Sequence, residues 1–336
     1  MLVNMPNINI LDIALLCHPI VALVPNLSTK SQPRASRRQY LALSFFALLV
    51  LRYYTASTQP RSPLLTTPDV SLCQTHDLPN PIAHLYPGNA TGTLNGTISV
   101  LPIPLSLARS LIPSQYTILT SAYQSLLPSF PADMYPAILQ AVHDHEVQAF
   151  GYKIPDFTRT GIEFPFIDMF NDGTSFKWNP SLLMTAGHEI ALKGAGDYGI
   201  DVFPAAFDPP CDAYRSTSKS GETMFSATSE DGMASIETKF APSYSADAKW
   251  TYPLSFFANV TNQPIFADGK TCDNMIRLFN TSVTTGIETV VGSVKAQMPP
   301  FSKERVWKGV EGIRLDSAFI ENNYLPCESF RGYASS

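Results

Sequence analysis

The chain has 336 residues, 45% of them hydrophobic and only 15% charged, with 28 prolines, 18 glycines and a net charge of −5. That is enough apolar material for one large core or two small ones, and the charged fraction is low against the roughly 25% usual in soluble domains. No basic block follows residue 38, which removes the electrostatic basis for nucleic-acid binding; none is expected. So many chain breakers favour short strands over long helices.

Residues 1–57 form an N-terminal extension. Arg34, Arg37 and Arg38 precede an apolar run from Leu41 to Leu51, too short for the ~20 residues of a spanning helix but suited to a signal-peptide core, with Thr55 and Ser57 before a cut. The expectation is a secreted, extracellular protein starting near Thr58, with the true start codon downstream of residue 1. The alternative is a signal anchor in the secretory pathway, with residues 41–51 as a membrane tether. Sequons at Asn89, Asn95, Asn259 and Asn280 agree with secretion. Four cysteines follow the run, Cys73, Cys211, Cys272 and Cys327, and are expected to form two disulfides, with Cys17 outside the folded domain.

Residues 58–96 are rich in Pro, Thr, Asn and Gly and read as an extended lead-in. From 97 to 336 one domain is expected. "TISVLPIP" predicts a strand. "PLSLARSLIP" predicts a helix with Leu105, Ala108, Leu111 and Ile112 on one face, opened by Pro104 and stopped by Pro113. "YPAILQAVHDHE" leans helical. "VQAFGYKI", "GIEFPFIDMF", "ETMFSAT" and "MASIETKF" predict strands, the last two joined by a hairpin at Ser229–Gly232. "WTYPLSFFANV", "GIETVVGSVKAQ" and "VEGIRLDSAFI" continue the pattern. The fold class is mainly β (α+β): an antiparallel, cone-like β-barrel with a few short helices.

Candidate chemistry is sparse. "TAGHEIALKGAGDYG" (185–199) starts like H-E-x-x-H, but Leu192 stands where the second histidine belongs. Its G-x-G-x-x-G precedes a stretch broken by Pro204, Pro209 and Pro210, so a dinucleotide site is not expected, and the glycines are assigned to a turn or close approach on the wall or rim of a cavity. His143 and His145 would share a side on a strand and not on a helix; with the helical lean they are a polar surface end, and no metal is expected. Glu163 and Asp168 lie amid large apolar residues, where a desolvated carboxylate suits acid/base work, while an edge-strand position in water is the alternative.

"LPIPLSLARSLIPSQY" resembles the arginine-bearing helix of the acetoacetate decarboxylase superfamily. "GIEFPFIDMF" is similar to its glutamate-bearing strand, and "TAGHEI" to its G-R-E-[LI] stretch. "FDPPCDAY" and "AFIENNYLPCESFRGY" resemble a secreted fungal branch of the group. The resemblance covers about 97–333 and implies a cone-like barrel around an apolar cavity for a small carbonyl, keto-acid or polyketide-like ligand. It departs at the family's aromatic-P-K-K, whose lysines supply a Schiff base and depress its pKa. Here the stretch is Phe203-Pro-Ala-Ala-Phe207, and the arginine of G-R-E is His188. The implied enzyme is a cofactor-free lyase with Glu163 as acid/base, Arg109 holding a carboxylate or enolate, and Lys193 as the amine. The rival is a non-catalytic extracellular binding protein on the same fold, and a metal hydrolase built on His143 and His145 is a third reading.

Overall fold

The computed structural model describes residues 79–243, 252–280 and 282–334. The signal-peptide core, Cys17, Cys73 and most of the lead-in lie outside them. Among the described residues fifteen strands join in one hydrogen-bonded system. In chain order they are β1 (Ala90–Pro104), β2 (Thr117–Ile118), β3 (Met134–Ala149), β4 (Tyr152–Lys153), β5 (Phe157–Asp168), β6 (Ser175–Trp178), β7 (Ser181–Thr185), β8 (Asp201–Asp208), β9 (Arg215–Ser216), β10 (Thr223–Ser229), β11 (Ser235–Pro242), β12 (Ile265–Phe266), β13 (Thr271–Arg277), β14 (Thr284–Gln297) and β15 (Arg305–Pro326). Among the described residues four short α-helices intervene: α1 (Leu105–Leu111), α2 (Thr120–Leu126), α3 (Glu189–Gly196) and α4 (Leu254–Thr261). The protein is mainly β, as its breakers and β-branched runs require.

The pairings close on themselves twice. One circuit runs β5-β7-β8-β10-β11-β14-β15-β1-β3 and returns to β5, a ring of nine strands. The other runs β13-β12-β6-β5-β3-β1-β15 and returns to β13, a ring of seven. The strands β5, β3, β1 and β15 belong to both rings and form a common wall. One face of that wall belongs to each ring, so both faces are buried over much of its length. Closure leaves few free edges, the usual hazard of a large sheet. Where Gly92 crosses the wall, a Cβ would lie 2.7 Å from the Phe319 ring, so only glycine lets β1 approach β15 there.

The predicted helix is α1. Pro104 is its N-cap, Leu105, Ala108 and Ile112 are buried, and Pro113 follows its end. The Ser229–Gly232 hairpin also forms, with Gly232 at φ +72°. Two expectations are corrected. "YPAILQAVHDHE" is not helical but lies within β3, paired with β1 on one side and β5 on the other. A strand buried on both faces shows no polar alternation, so its apolar run imitates a helix. The sheet is also not wholly antiparallel. β7 and β8 run parallel, joined through α3, and β6 pairs parallel to β12. A parallel neighbour needs a crossover, and "TAGHEIALKGAGDYG" supplies it.

Candidate functional site

The shared wall presents ionisable side chains to the seven-strand ring. On β5, Arg159, Gly161 and Glu163 alternate onto one face. Register sets Gly161 beside Gln140 of β3, and Ile138 beside Glu163. Asp144 lies on that same face of β3. Strand β6 brings in Lys177, β13 brings Asp273 and Arg277, and β15 brings Glu321. Glu163 and Lys177 are each only 2% exposed.

The contacts form a continuous chain. Lys177 Nζ lies 3.0 Å from Glu163 Oε2 and donates to the Thr261 carbonyl at the end of α4, also at 3.0 Å. The Gln140 amide donates to the same Glu163 oxygen at 2.6 Å, and its carbonyl oxygen accepts from the Arg277 guanidinium. Beside them Arg159 Nε donates to Asp144 Oδ2 at 2.9 Å. Gln140 thus links a buried cation to a buried anion, with its amide orientation fixed by the two neighbours.

Burial dominates the electrostatics. It is the largest influence on Lys177 and lowers its pKa; Glu163 opposes this, and the Arg277 and Arg159 charges add to the lowering. Burial raises Glu163, but Lys177, Gln140 and Arg159 together outweigh it and hold its carboxyl below the ordinary range. Lys177 is therefore the partner that gives up its charge more readily. Desolvation, helped by Arg159, lowers Arg277 to about 10. Burial lifts Asp273 well above the ordinary carboxylate range and raises Glu321, and the two carboxyls are hydrogen-bonded to each other. Toward solvent, Tyr198 stands near this pair and is stacked on Tyr324, with centroids 5.2 Å apart.

A buried lysine whose pKa is lowered by desolvation, 3.0 Å from a carboxylate, is the arrangement amine catalysis uses. A proton moved from Lys177 to Glu163 leaves a free amine next to a carboxylic acid. Burial favours that exchange, while the Lys177, Gln140 and Arg159 contacts that hold Glu163 ionised oppose it.

The residues singled out from sequence fall in different places. Glu163 is in this cluster and not on a wet edge. Lys193 is on the outer surface in α3, its side chain 74% exposed and paired with Asp197 one turn on. Arg109 is exposed on α1. The expectation that Glu163, Lys193 and Arg109 share one cavity is thus corrected, because α3 is an external crossover. Asp168, also buried, accepts from the Asp172 and Gly173 amides and caps a turn. Lys177 was missed; its signal was a lone lysine between Phe176 and Trp178 in a four-residue strand.

The glycines of α3 sit within and after the helix, not before it, so its N-terminus lacks the phosphate cradle. Gly199 makes the turn into β8 at φ +80°, with a Cβ position 2.8 Å from the Asp268 side chain. Ala205, where the resemblance expects lysine, is packed in the core. His143 and His145 share a face of β3, fully buried, with rings 6.2 Å apart. That corrects the polar-surface expectation. Among the described residues no group of three or more His, Cys, Asp or Glu is placed to hold a metal.

No family profile matches the chain, and no curated protein matches it. Solved structures do. The enduracididine biosynthesis enzyme MppR, complexed with the condensation product of pyruvate and imidazole 4-carboxaldehyde, aligns at 8% identity and TM-score 0.40, covering 70% of this chain and 89% of that one. MppR with pyruvate aligns at TM-score 0.39 and 8% identity over the same shares. MppR with HEPES buffer bound aligns at TM-score 0.38 and 8% identity, covering 71% and 87%.

Cys272 and Cys327 are joined, with Cα atoms 4.9 Å apart, tying β13 to the short 3-10 helix Cys327–Phe330 after β15. Cys211 is also disulfide-bonded. Of the sequons, Asn280 is exposed, Asn89 and Asn259 are half-buried, and Asn95 sits mid-strand in β1 between Asp316 and His143.

Proposed function

We propose that the protein is a cofactor-independent, lyase-type enzyme acting on a small keto acid, with Lys177 as the amine and Glu163 as the acid/base. The observation that carries this reading is the Lys177–Glu163 pair, 3.0 Å apart and 2% exposed on both sides. The neutral amine adds to the substrate ketone and water leaves, giving an iminium. Loss of CO2 sends its electron pair into the iminium to form an enamine. Glu163 gives the proton it took from Lys177 to the departing water, takes another from solvent and delivers it to the enamine carbon, and water hydrolyses the new iminium to release the ketone and the amine. Arg277 and Arg159 lie close enough to influence Lys177 and would attract the substrate carboxylate. The resemblance of residues 97–333 to the decarboxylase superfamily agrees with this chemistry, with the lysine moved from the 203–207 stretch to β6. The test is CO2 release from a panel of small β-keto acids. Turnover lost in Lys177→Met and kept in Lys193→Met supports the reading; equal turnover in both variants refutes it.

A second reading, a non-catalytic binding protein, is favoured by a groove of about 340 Å³ lined by Val100, Pro102, Tyr252, Trp307 and Val310 among others. Its lining is mixed, with Lys308 and Glu311 beside the apolar side chains. Saturable ligand binding lost in Trp307→Ala, with no turnover of any keto acid, would select it. Under either reading we place the protein outside the cell. The Cys272–Cys327 disulfide and the exposed Asn280 sequon support that.

A further inference from the structure

Decarboxylation of a β-keto acid takes up one proton per turnover: the carboxylate leaves as CO2 and hydrogen fills its place on carbon. That proton must reach a dry interior each time, and Lys177 and Glu163, each 2% exposed, barely meet solvent. The other ionisable groups that face the seven-strand ring are Arg159 on β5, Asp144 on β3, Asp273 and Arg277 on β13 and Glu321 on β15. The two guanidiniums stay charged near neutral pH, since Arg277 is lowered only to about 10 and Arg159 is raised. Asp144 is fully buried and tied to Arg159. Asp273 and Glu321 remain.

Their placement forms a path. Asp273 is level with Ile265 of β12, and Ile265 with Lys177 of β6. Paired residues point to the same side of a sheet, so Asp273 and Lys177 face the ring together, their backbones two strand spacings or about 10 Å apart. The Lys177 charge acts on Asp273 across that gap. Glu321 is level with Met275, two residues along β13 from Asp273 and on the same face, and the Asp273 and Glu321 carboxyls are hydrogen-bonded. Exposure rises outward: Asp273 is 7% exposed and Glu321 is half-buried. The wall is also irregular there. Between the pairs Cys272–Leu325 and Asn274–Asn322, β15 carries one extra residue opposite Asp273, with Tyr324 at φ +56°. Such a bulge interrupts the hydrogen-bond ladder. Burial moves both carboxyls toward their protonated forms, so each exchanges a proton closer to neutral pH than an exposed carboxyl does.

We infer that Glu321 and Asp273 are the proton inlet of the amine site: Glu321 takes a proton from solvent and passes it to Asp273, and Asp273 passes it on to the Lys177–Glu163 pair after CO2 has left. Each transfer moves one proton and breaks no other bond, and both carboxyls return to their starting state after every turnover. The inlet rests on the lyase reading of Lys177 and Glu163.

The test uses acetoacetate and the intact, oxidised protein. Asp273→Asn and Glu321→Gln should each lower steady-state kcat for CO2 release at least tenfold, with KM within twofold of the parent. With enzyme in excess, the first CO2 should leave within twofold of the parent rate, because the inlet acts only after that step. Asp273→Glu, which restores a carboxyl, should recover at least fivefold of the loss in Asp273→Asn. The melting temperature of Asp273→Asn should not fall, which separates a lost proton path from lost folding. Full steady-state turnover in either Asp273→Asn or Glu321→Gln, or single-turnover release that falls as far as the steady rate, overturns the inlet and leaves the Lys177 chemistry standing. No turnover in the parent, or turnover kept in Lys177→Met, overturns the lyase reading, and the inlet falls with it.

Discussion

Removing either member of the Lys177–Glu163 pair should cost far more than removing both. Glu163→Gln keeps the shape and a hydrogen-bonding partner for Gln140 but leaves the Lys177 ammonium with only the Thr261 carbonyl at 3.0 Å. Breaking a buried pair from one side costs about 3–5 kcal/mol, and the isosteric change should fall near the lower end, about 3 kcal/mol. Lys177→Met strands the carboxylate instead, at a similar cost softened by Gln140 and Arg159. The double variant Glu163→Gln/Lys177→Met has no stranded charge and should return to within about 1 kcal/mol of the parent, a coupling of several kcal/mol between the sites. Urea denaturation measures this at each pH. Because Glu163 is held below its ordinary pKa, its stabilisation is present above the unfolded Glu value and is lost as pH falls through the folded one. Parent and Glu163→Gln should converge there. Lys177 is lowered, so the native state binds fewer protons than the unfolded chain below the ordinary lysine value, and stability gained from its deprotonation rises with pH. Without Glu163 that window extends lower, and the deficit should shrink again on the alkaline side. A deficit that does not vary with pH, or single variants whose costs simply add, would refute the assignment of a buried, coupled pair.

Asp273→Asn should stabilise the protein by about 0.5–2 kcal/mol at pH 7, because a carboxyl with a raised pKa binds a proton more tightly when folded and loses that advantage as pH rises; the gain should disappear in thermal melts below pH 4. Cys272→Ser/Cys327→Ser opens a loop with a sequence separation of 55 and should cost roughly 4 kcal/mol on a chain-entropy basis, read from the shift in denaturation midpoint. Gly199→Ala forces a non-glycine residue into φ +80° against Asp268 and should cost about 1–3 kcal/mol in the same assay. When the protein is secreted from a eukaryotic host, glycopeptide mapping should find high occupancy at Asn280 and none at Asn95, whose strand is paired on both sides.

Much of the fold could be read from the sequence, and the reasons for what could not are physical. Strands with one solvent face, such as β10 and β11, alternate and were legible together with their hairpin. Helix α1 was legible because proline brackets it and its apolar residues repeat at helical spacing. β3 was not, because burial on both faces removes the alternation, and Ala, Leu and Gln are good helix formers until two neighbouring strands claim their backbone. That single error also hid the shared face of His143 and His145. Glu163 was found as a carboxylate among apolar residues. Its partners were out of reach: Gln140 and Lys177 come from the neighbouring strands β3 and β6, at sequence separations of 23 and 14 (163 less 140, 177 less 163), and Arg277, bonded to Gln140, comes from β13 through ring closure. Lys193 drew attention as a lone lysine in an apolar run, yet that run is the surface helix α3.

The most direct test of the account is borohydride trapping with acetoacetate and pyruvate on the intact, oxidised protein, followed by peptide mass mapping. A buried amine that passes its proton to Glu163 should yield a reduced adduct on Lys177, at least tenfold depleted in Glu163→Gln and unaffected by Lys193→Met. Modification confined to Lys193 and other exposed lysines, with Lys177 recovered intact, would contradict it.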